Sequence, residues 1–263
     1  HMRRFQLRKS VLVVDEYHLL PPPMIGALAE VLARYARAYD LRVILMTATP
    51  LRAYRDALLE ALGRVEEFDL SSEYARLKRH RMELICNLEE GLEKTEELAR
   101  RGKRVLVVLN RVDRAMNFYD RLEVEGKLLL HARFTVNDRY EKEGLIDRSR
   151  VLVATQVAEV SLDVSFDALV TDLAPIPSVV QRAGRVNRYG EREVEEPNVL
   201  VISRIDSSEP YGKIEVKYSL EVLESWAESL SESEEAYLGM LREYDRLTYK
   251  SIAREVSLSL IHI

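Results

Sequence analysis

The sequence predicts an α/β fold with parallel sheets, arranged in two successive groups and followed by helices. Short runs of aliphatic and β-branched residues, each the length of a buried strand, alternate with segments whose apolar residues recur at helical spacing. Strands covered on both faces read as such continuous runs, without polar alternation. The alternation breaks once, over the charged stretch 70–88, and then resumes.

In order, Val11 to Val14 is the first strand. Pro21-Pro22-Pro23 blocks any helix at that point, and a helix is expected from Met24 to Tyr39, where Ile25, Leu28, Val31, Leu32 and Tyr35 repeat at helical intervals. Leu41 to Met46 is the second strand and Ala53 to Leu62 the next helix. The second group opens with a helix from Glu89 to Arg101, closed by Gly102. Strands at Val105–Leu109, Leu128–His131, Val151–Ala154, Ala168–Thr171 and Val199–Ser203 follow, with helices over Asp113–Leu122 and Ser178–Arg185 between them. Beyond Asp206 the pattern changes to amphipathic helices, Tyr218–Leu230 and Glu234–Tyr249, and Val256 to Ile263 alternates as a strand does. The expected domains are residues 1–75, 76–206 and a helical extension over 207–263. The opening His1-Met2 and the apolar end both predict a longer parent polypeptide.

Composition narrows the function classes. With 47% hydrophobic and 32% charged residues among 263, the chain forms a core and is neither disordered nor membrane-spanning. A single cysteine, Cys86, excludes an internal disulfide framework and reads as a small buried hydrophobe, which fits a cytoplasmic location. The net charge of −5 gives no whole-molecule attraction to nucleic acid, although Arg76, Lys78, Arg79, His80 and Arg81 cluster and acids gather over 221–235. His80 and His131 have no ligand-spaced partners, so no resident metal site of the protein's own is expected.

Three stretches carry chemistry. Asp15-Glu16-Tyr17-His18 ends the first strand, where α/β sheets hold their ligands. It is either a charged strand-end loop or a source of carboxylates for a metal-bound nucleotide and its hydrolytic water. Thr47-Ala48-Thr49 ends the second strand, either as a turn with Thr49 near a helix cap or as a hydroxyl relay between sites. The longest is Val151 to Arg188, whose final helix carries Gln181, Arg182, Arg185 and Arg188. Arginines three apart share a helix face and can clamp a triphosphate, provided the helix continues that far; the alternative is a solvated basic helix. Gly184 within that helix favours a functional reason, because glycine there costs about 1 kcal/mol.

Taken together, DEYH, TAT and QRAGRVNR resemble motifs two, three and six of superfamily-two helicases of the DExH type. HARFTVNDR (His131 to Arg139) and ATQVAEVSLD (Ala154 to Asp163) further resemble the signature helicase of type I CRISPR interference. The resemblance covers about Val11 to Ser203 and implies part of a first RecA-like domain, a complete second one, and ATP hydrolysis at their interface. It implies that Asp15 binds Mg2+ through the nucleotide, that Glu16 activates water, and that Asp163 and Gln181 contact the nucleotide region. Arg185 and Arg188 become arginine fingers, and His18, Thr47 and Thr49 couple hydrolysis to strand movement. Thr155 and nearby backbone become contacts to the nucleic-acid backbone; apart from the resemblance, Arg111 and Arg133 are candidate contacts to single-stranded DNA, the alternative being ordinary solvated arginines.

One part is missing. The phosphate-binding pattern G-x-x-x-x-G-K-[ST] does not occur: Gly126-Lys127 precedes Leu128, and Gly212-Lys213 precedes Ile214. No clustered His-Asp motif of a nuclease appears either. The chain is therefore expected to need an upstream helicase segment bearing that loop, a nuclease domain or subunit, and a CRISPR effector complex, and not to hydrolyse ATP alone. Two other readings stay open, a DExH helicase acting on RNA or in DNA repair, and a non-catalytic docking module of helicase ancestry.

Overall fold

The computed structural model describes residues 8–74, 79–160, 164–226 and 234–260. The chain forms two compact units, His1–Asp69 with Asp245–Ile263, and Leu70–Tyr244. The segment 207–263 is thus shared between the units and does not form a third.

In the smaller unit, β1 (Val11–Val14) and β2 (Arg42–Leu45) pair in parallel, Val11 opposite Arg42 and Val13 opposite Ile44. Between them runs α1 (Pro22–Tyr35). The prolines open this helix rather than blocking it, with proline in its first turn. A missing N–H costs nothing there and the fixed φ suits a helix. Packed on α1 is α2 (Arg52–Leu62), burying Ile25, Ala29 and Leu32 with Ala53, Tyr54 and Leu58. The Tyr54 hydroxyl donates to the Leu20 carbonyl at 3.0 Å.

The larger unit is built on six parallel strands in the order β3-β8-β7-β4-β6-β5. They are β3 (Met82–Ile85), β4 (Val105–Val108), β5 (Lys127–Leu130), β6 (Val151–Ala154), β7 (Ala168–Asp172) and β8 (Val199–Ile202). The central strands are buried along their whole length, as their unbroken apolar runs require. The longer helices are α3 (Leu88–Arg100), α4 (Val112–Arg121), α5 (Val136–Glu143), α6 (Ile176–Ala183) and α7 (Lys213–Trp226), with single helical turns at Ser71–Tyr74 and, after β6, at Val157–Val160. Asn87 caps α3 by accepting from the Glu90 amide at 3.0 Å, and the Glu90 carboxylate accepts in return from the Cys86 amide at 2.7 Å. Cys86 is exposed, not the buried hydrophobe expected, because it stands just past the end of β3 at this cap. From β4 the chain moves outward to β5, whereas from β7 it moves the other way to β8. The junction between β4 and β7 is therefore the point where a doubly wound sheet opens a crevice at its carboxyl edge.

The last helix, α8 (Glu234–Leu260), begins in the larger unit and ends in the smaller. Its later part is fixed in the smaller unit by Asp245, which accepts from the Arg52 amide at 2.8 Å, and by Tyr249, whose hydroxyl donates to Asp56 at 2.9 Å. The strand expected from Val256 is overturned, since α8 continues to Leu260, while residues 261–263 lie outside the described residues. Tyr237, Met240, Leu241, Tyr244, Thr248, Ile252 and Val256 are all buried, at helical spacing throughout.

Candidate functional site

In the smaller unit, β1 delivers Asp15 to its carboxyl end. The Asp15 carboxylate accepts the Glu16 amide at 2.9 Å and is otherwise exposed to solvent. Glu16 takes a left-handed conformation, φ 49°, at a cost of about 1–2 kcal/mol for a residue with a Cβ. That turn brings the next residues back over β2. The Tyr17 amide donates to the Met46 carbonyl at 3.3 Å, and His18 Nδ1 lies 2.7 Å from Thr47 Oγ1 and 3.3 Å from Glu16 Oε2. Thr47 Oγ1 also accepts from the Thr49 amide at 3.2 Å. Glu16, His18, Thr47 and Thr49 thus form one connected group across the ends of β1 and β2. Asp15 stands beside it, a solvent-facing oxygen donor whose chemistry fits a hard divalent cation carried by phosphates. Among the described residues no three His, Cys, Asp or Glu gather as a metal cage.

In the larger unit the arginine segment departs from expectation. α6 ends at Ala183 with Gly184 as its cap, so Arg185 and Arg188 do not share a helix face. After the cap, Val186 forms a parallel bridge to Phe166, and Asn187 turns the chain with φ 43°. Arg185 donates to the Glu159 carbonyl, and the Arg188 amide donates to Ser165 Oγ at 3.1 Å. Both are half-buried and lie near the chain entering β7, as Gln181 lies on α6 itself. Asp163 falls outside the described residues. The basic cluster upstream is no open surface where it is described. Arg79 and His80 are buried, donating to the Arg188 carbonyl at 3.1 Å and bonding the Val186 carbonyl at 2.8 Å.

The proposed nucleic-acid residues gather at the sheet's carboxyl edge. Arg111 follows β4, Arg133 follows β5 and Thr155 follows β6, three strands that are neighbours in the order β4-β6-β5. Thr155 is buried, with its amide donating to the Leu130 carbonyl at 3.3 Å. Arg133 is exposed, and its amide donates to His131 Nδ1 at 3.2 Å. Arg111 is paired with Asp113, at 3.0 Å from Nε, and with Asp206 at 3.5 Å.

Sequence reasoning gave no role to the most buried arginine. Arg182 is fully enclosed, and its guanidinium donates to Glu159 Oε1 at 2.8 Å, Thr171 Oγ1 at 2.7 Å, Asn110 Oδ1 at 3.1 Å and the Tyr211 hydroxyl at 2.8 Å. Burial opposes its charge, but Tyr211, Glu159 and Asp172 outweigh that and raise its pKa. Asp172 is equally enclosed. Desolvation raises its carboxyl pKa, against the pull of Arg114, whose Nε lies 3.0 Å away. The signal for Arg182 was its setting, among Val179, Val180 and Ala183 on a helix otherwise apolar on that face. The glycine–lysine pairs considered for phosphate binding are structural where their contacts are resolved. Gly126 turns with φ 72°, and Lys127 donates to the Tyr119 and Leu122 carbonyls at 2.7 and 2.8 Å.

Residues 101–191 match the family model described as CRISPR-associated nuclease/helicase Cas3, C-terminal. The CRISPR-associated endonuclease/helicase Cas3 of Escherichia coli is 31% identical over 266 residues, an alignment spanning 83% of this chain and 30% of that protein. The T. fusca Cas3–ADP crystal structure superposes with a TM-score of 0.72 at 23% identity, covering 96% of this chain and 39% of the other. A chain of the CRISPR RNA-guided surveillance complex, pre-nicking, gives 0.71 at 21% identity, over 94% of this chain and 40% of that one. The RecA-like α/β architecture is thus shared with solved Cas3 structures, and the chain spans about 30% of its curated relative's length. With family model, sequence relative and fold in agreement, this chain belongs to the Cas3 helicases.

Proposed function

We propose that this chain supplies the later motifs of an ATP-dependent translocase on single-stranded DNA that serves CRISPR interference. Residues of both units act on one nucleotide in this reading. The observation that carries it is the contact between His18 and Thr47 at 2.7 Å, which ties the Asp-Glu loop after β1 to the Thr-Ala-Thr loop after β2. A charged strand-end loop has no need of that link; a relay between hydrolysis and movement does. Related structures named for ADP and for a surveillance complex support nucleotide binding and an effector-complex partner.

Asp15 would hold Mg2+ and Glu16 would accept a proton from water. Gln181 and Asp163 would contact the nucleotide, with Arg185 and Arg188 neutralising phosphate charge. ATP, when bound, supplies the phosphoanhydride whose cleavage drives the motor. Thr155, Arg111 and Arg133, on the carboxyl edge, grip the strand by its phosphates, which net acidity permits. The phosphate-binding loop comes from an upstream segment, and DNA cutting from a nuclease domain or subunit.

ATPase assays with single-stranded DNA test this. The chain alone shows no turnover. Supplied with the loop-bearing segment it turns over, and Arg188→Ala lowers kcat by about 10³-fold or more. Robust turnover by the chain alone refutes the dependence on that segment. A reconstituted assembly that binds its partners yet never hydrolyses ATP establishes the docking-module reading instead.

A further inference from the structure

We propose that Asn110 and Gln156 form a positioning device that couples the strand-gripping edge of the larger unit to its arginine segment. Both side chains lie outside the machinery named above.

Asn110 sits at the carboxyl end of β4, at the switch point beside β7, and is 5% exposed. All four of its hydrogen-bonding groups are engaged. Its amide donates to Asp172 Oδ2 at 3.0 Å and its Nδ2 to the Leu173 carbonyl at 2.8 Å, which fixes it to the end of β7. Its carbonyl accepts from Gln156 Nε2 at 2.8 Å, and its Oδ1 accepts from Arg182 at 3.1 Å. The circuit closes through one turn of helix, because the Glu159 amide donates to the Gln156 carbonyl at 3.0 Å and Glu159 Oε1 accepts from Arg182 at 2.8 Å. Asn110, Gln156, Glu159 and Arg182 are thus one closed ring of hydrogen bonds.

Every member of the ring touches or adjoins a residue assigned to strand or nucleotide. Asn110 precedes Arg111, Gln156 follows Thr155, Arg182 follows Gln181, and the Glu159 carbonyl accepts from Arg185. A purely structural role for Arg182 is already met by Glu159, Thr171 and Tyr211. The added link from Asn110 to Gln156 joins the ends of β4 and β6, the two strands that present Arg111 and Thr155. A buried network in a low-dielectric setting has few alternative arrangements, so a shift at one member is felt by the others. Strand binding at Arg111 and Thr155 is thereby transmitted to Gln181 and Arg185 inside a single unit.

This rests on the strand-gripping role of the carboxyl edge, and the experiment separates the two. The full chain is titrated with oligo(dT), and amide hydrogen exchange over residues 182–188 is followed with and without it. In the wild type, oligo(dT) slows exchange there by about fivefold or more. Gln156→Met keeps the side-chain volume at a half-buried position and removes only the donor to Asn110. It binds oligo(dT) with Kd within about twofold of wild type and stays folded, its melting temperature lower by only about 2–8 °C for the one unpaired carbonyl, yet the slowing is lost. Gln156→Glu, which also lacks the donor, behaves as the Met variant does, so side-chain polarity alone does not restore the response. Slowing that survives in Gln156→Met overturns the coupling and leaves the strand-gripping role standing. A wild-type chain with no affinity for oligo(dT) overturns both.

Discussion

Arg182 has a partner for each of its five guanidinium N–H groups, the fifth being the Asp172 carbonyl at 3.3 Å, and its side chain is shut off from water. Removing a charge from such a site leaves its partner stranded, so Arg182→Met strands Glu159, itself 7% exposed. The expected loss is about 3–5 kcal/mol in a urea titration, and Glu159→Gln in the same background restores part of it. His131 gives a different dependence. Its ring stacks on Phe134 at 4.1 Å, and burial, with Arg133 and Lys142 nearby, lowers its pKa below the ordinary 6.5. The unfolded chain therefore takes up the proton first. His131 contributes its full stability above pH 6.5 and loses it as pH falls through the lower folded value. Protonating Nδ1 also breaks the bond from the Arg133 amide. Urea midpoints measured from about pH 7.5 to 5 should fall less steeply in His131→Gln than in the wild type. Arg182 was hard to read from sequence because nothing in a string of letters distinguishes an arginine that faces water from one enclosed by five polar groups. The residues of the Asp-Glu and Thr-Ala-Thr loops were legible, since a strand end fixes where they emerge.

At the scale of elements, the parallel strands were legible because burial on both faces demands unbroken runs such as VLVV and VLVA. Two helices were misjudged for different reasons. The one expected to carry Arg185 lies two residues earlier, at the same length, since Gly184 is its cap and not a mid-helix glycine. The last was drawn too short. The sequence VSLSLIHI alternates over a short window, but the buried series Tyr237, Met240, Tyr244, Thr248, Ile252, Val256 keeps helical period over five turns, and the longer pattern prevails. Its Gly239 is also explained by packing. A Cβ there would stand 2.2 Å from the Trp226 ring, whose Nε1 is held by Glu243 at 2.7 Å. Gly239→Ala should cost about 1–3 kcal/mol despite its better helix propensity. Trp226→Leu in the same chain should recover most of that loss, read as a non-additive double-mutant cycle in thermal melts.

At the scale of the whole molecule, the two units differ in how far their sheets are buried. The larger has a six-stranded sheet whose four inner strands are buried along their whole length. Among the described residues the smaller has two parallel strands, and on one face Val11 is 55%, Val13 51% and Ile44 46% exposed. Parallel sheets are found with both faces covered, so this surface suits a further layer. Ile44→Glu should reduce self-association of the chain by light scattering and at the same time abolish reconstitution with a loop-bearing segment; enhanced association would count against that surface as a docking face. Elsewhere on the molecule, Arg111 already rests between Asp113 and Asp206. A phosphate arriving there trades one anionic companion for another, gaining little when it lands and surrendering little when it leaves. In the strand-gripping role proposed above, such a foothold suits a track that must be released at every stride: tight enough to register the rung, loose enough never to become a brake.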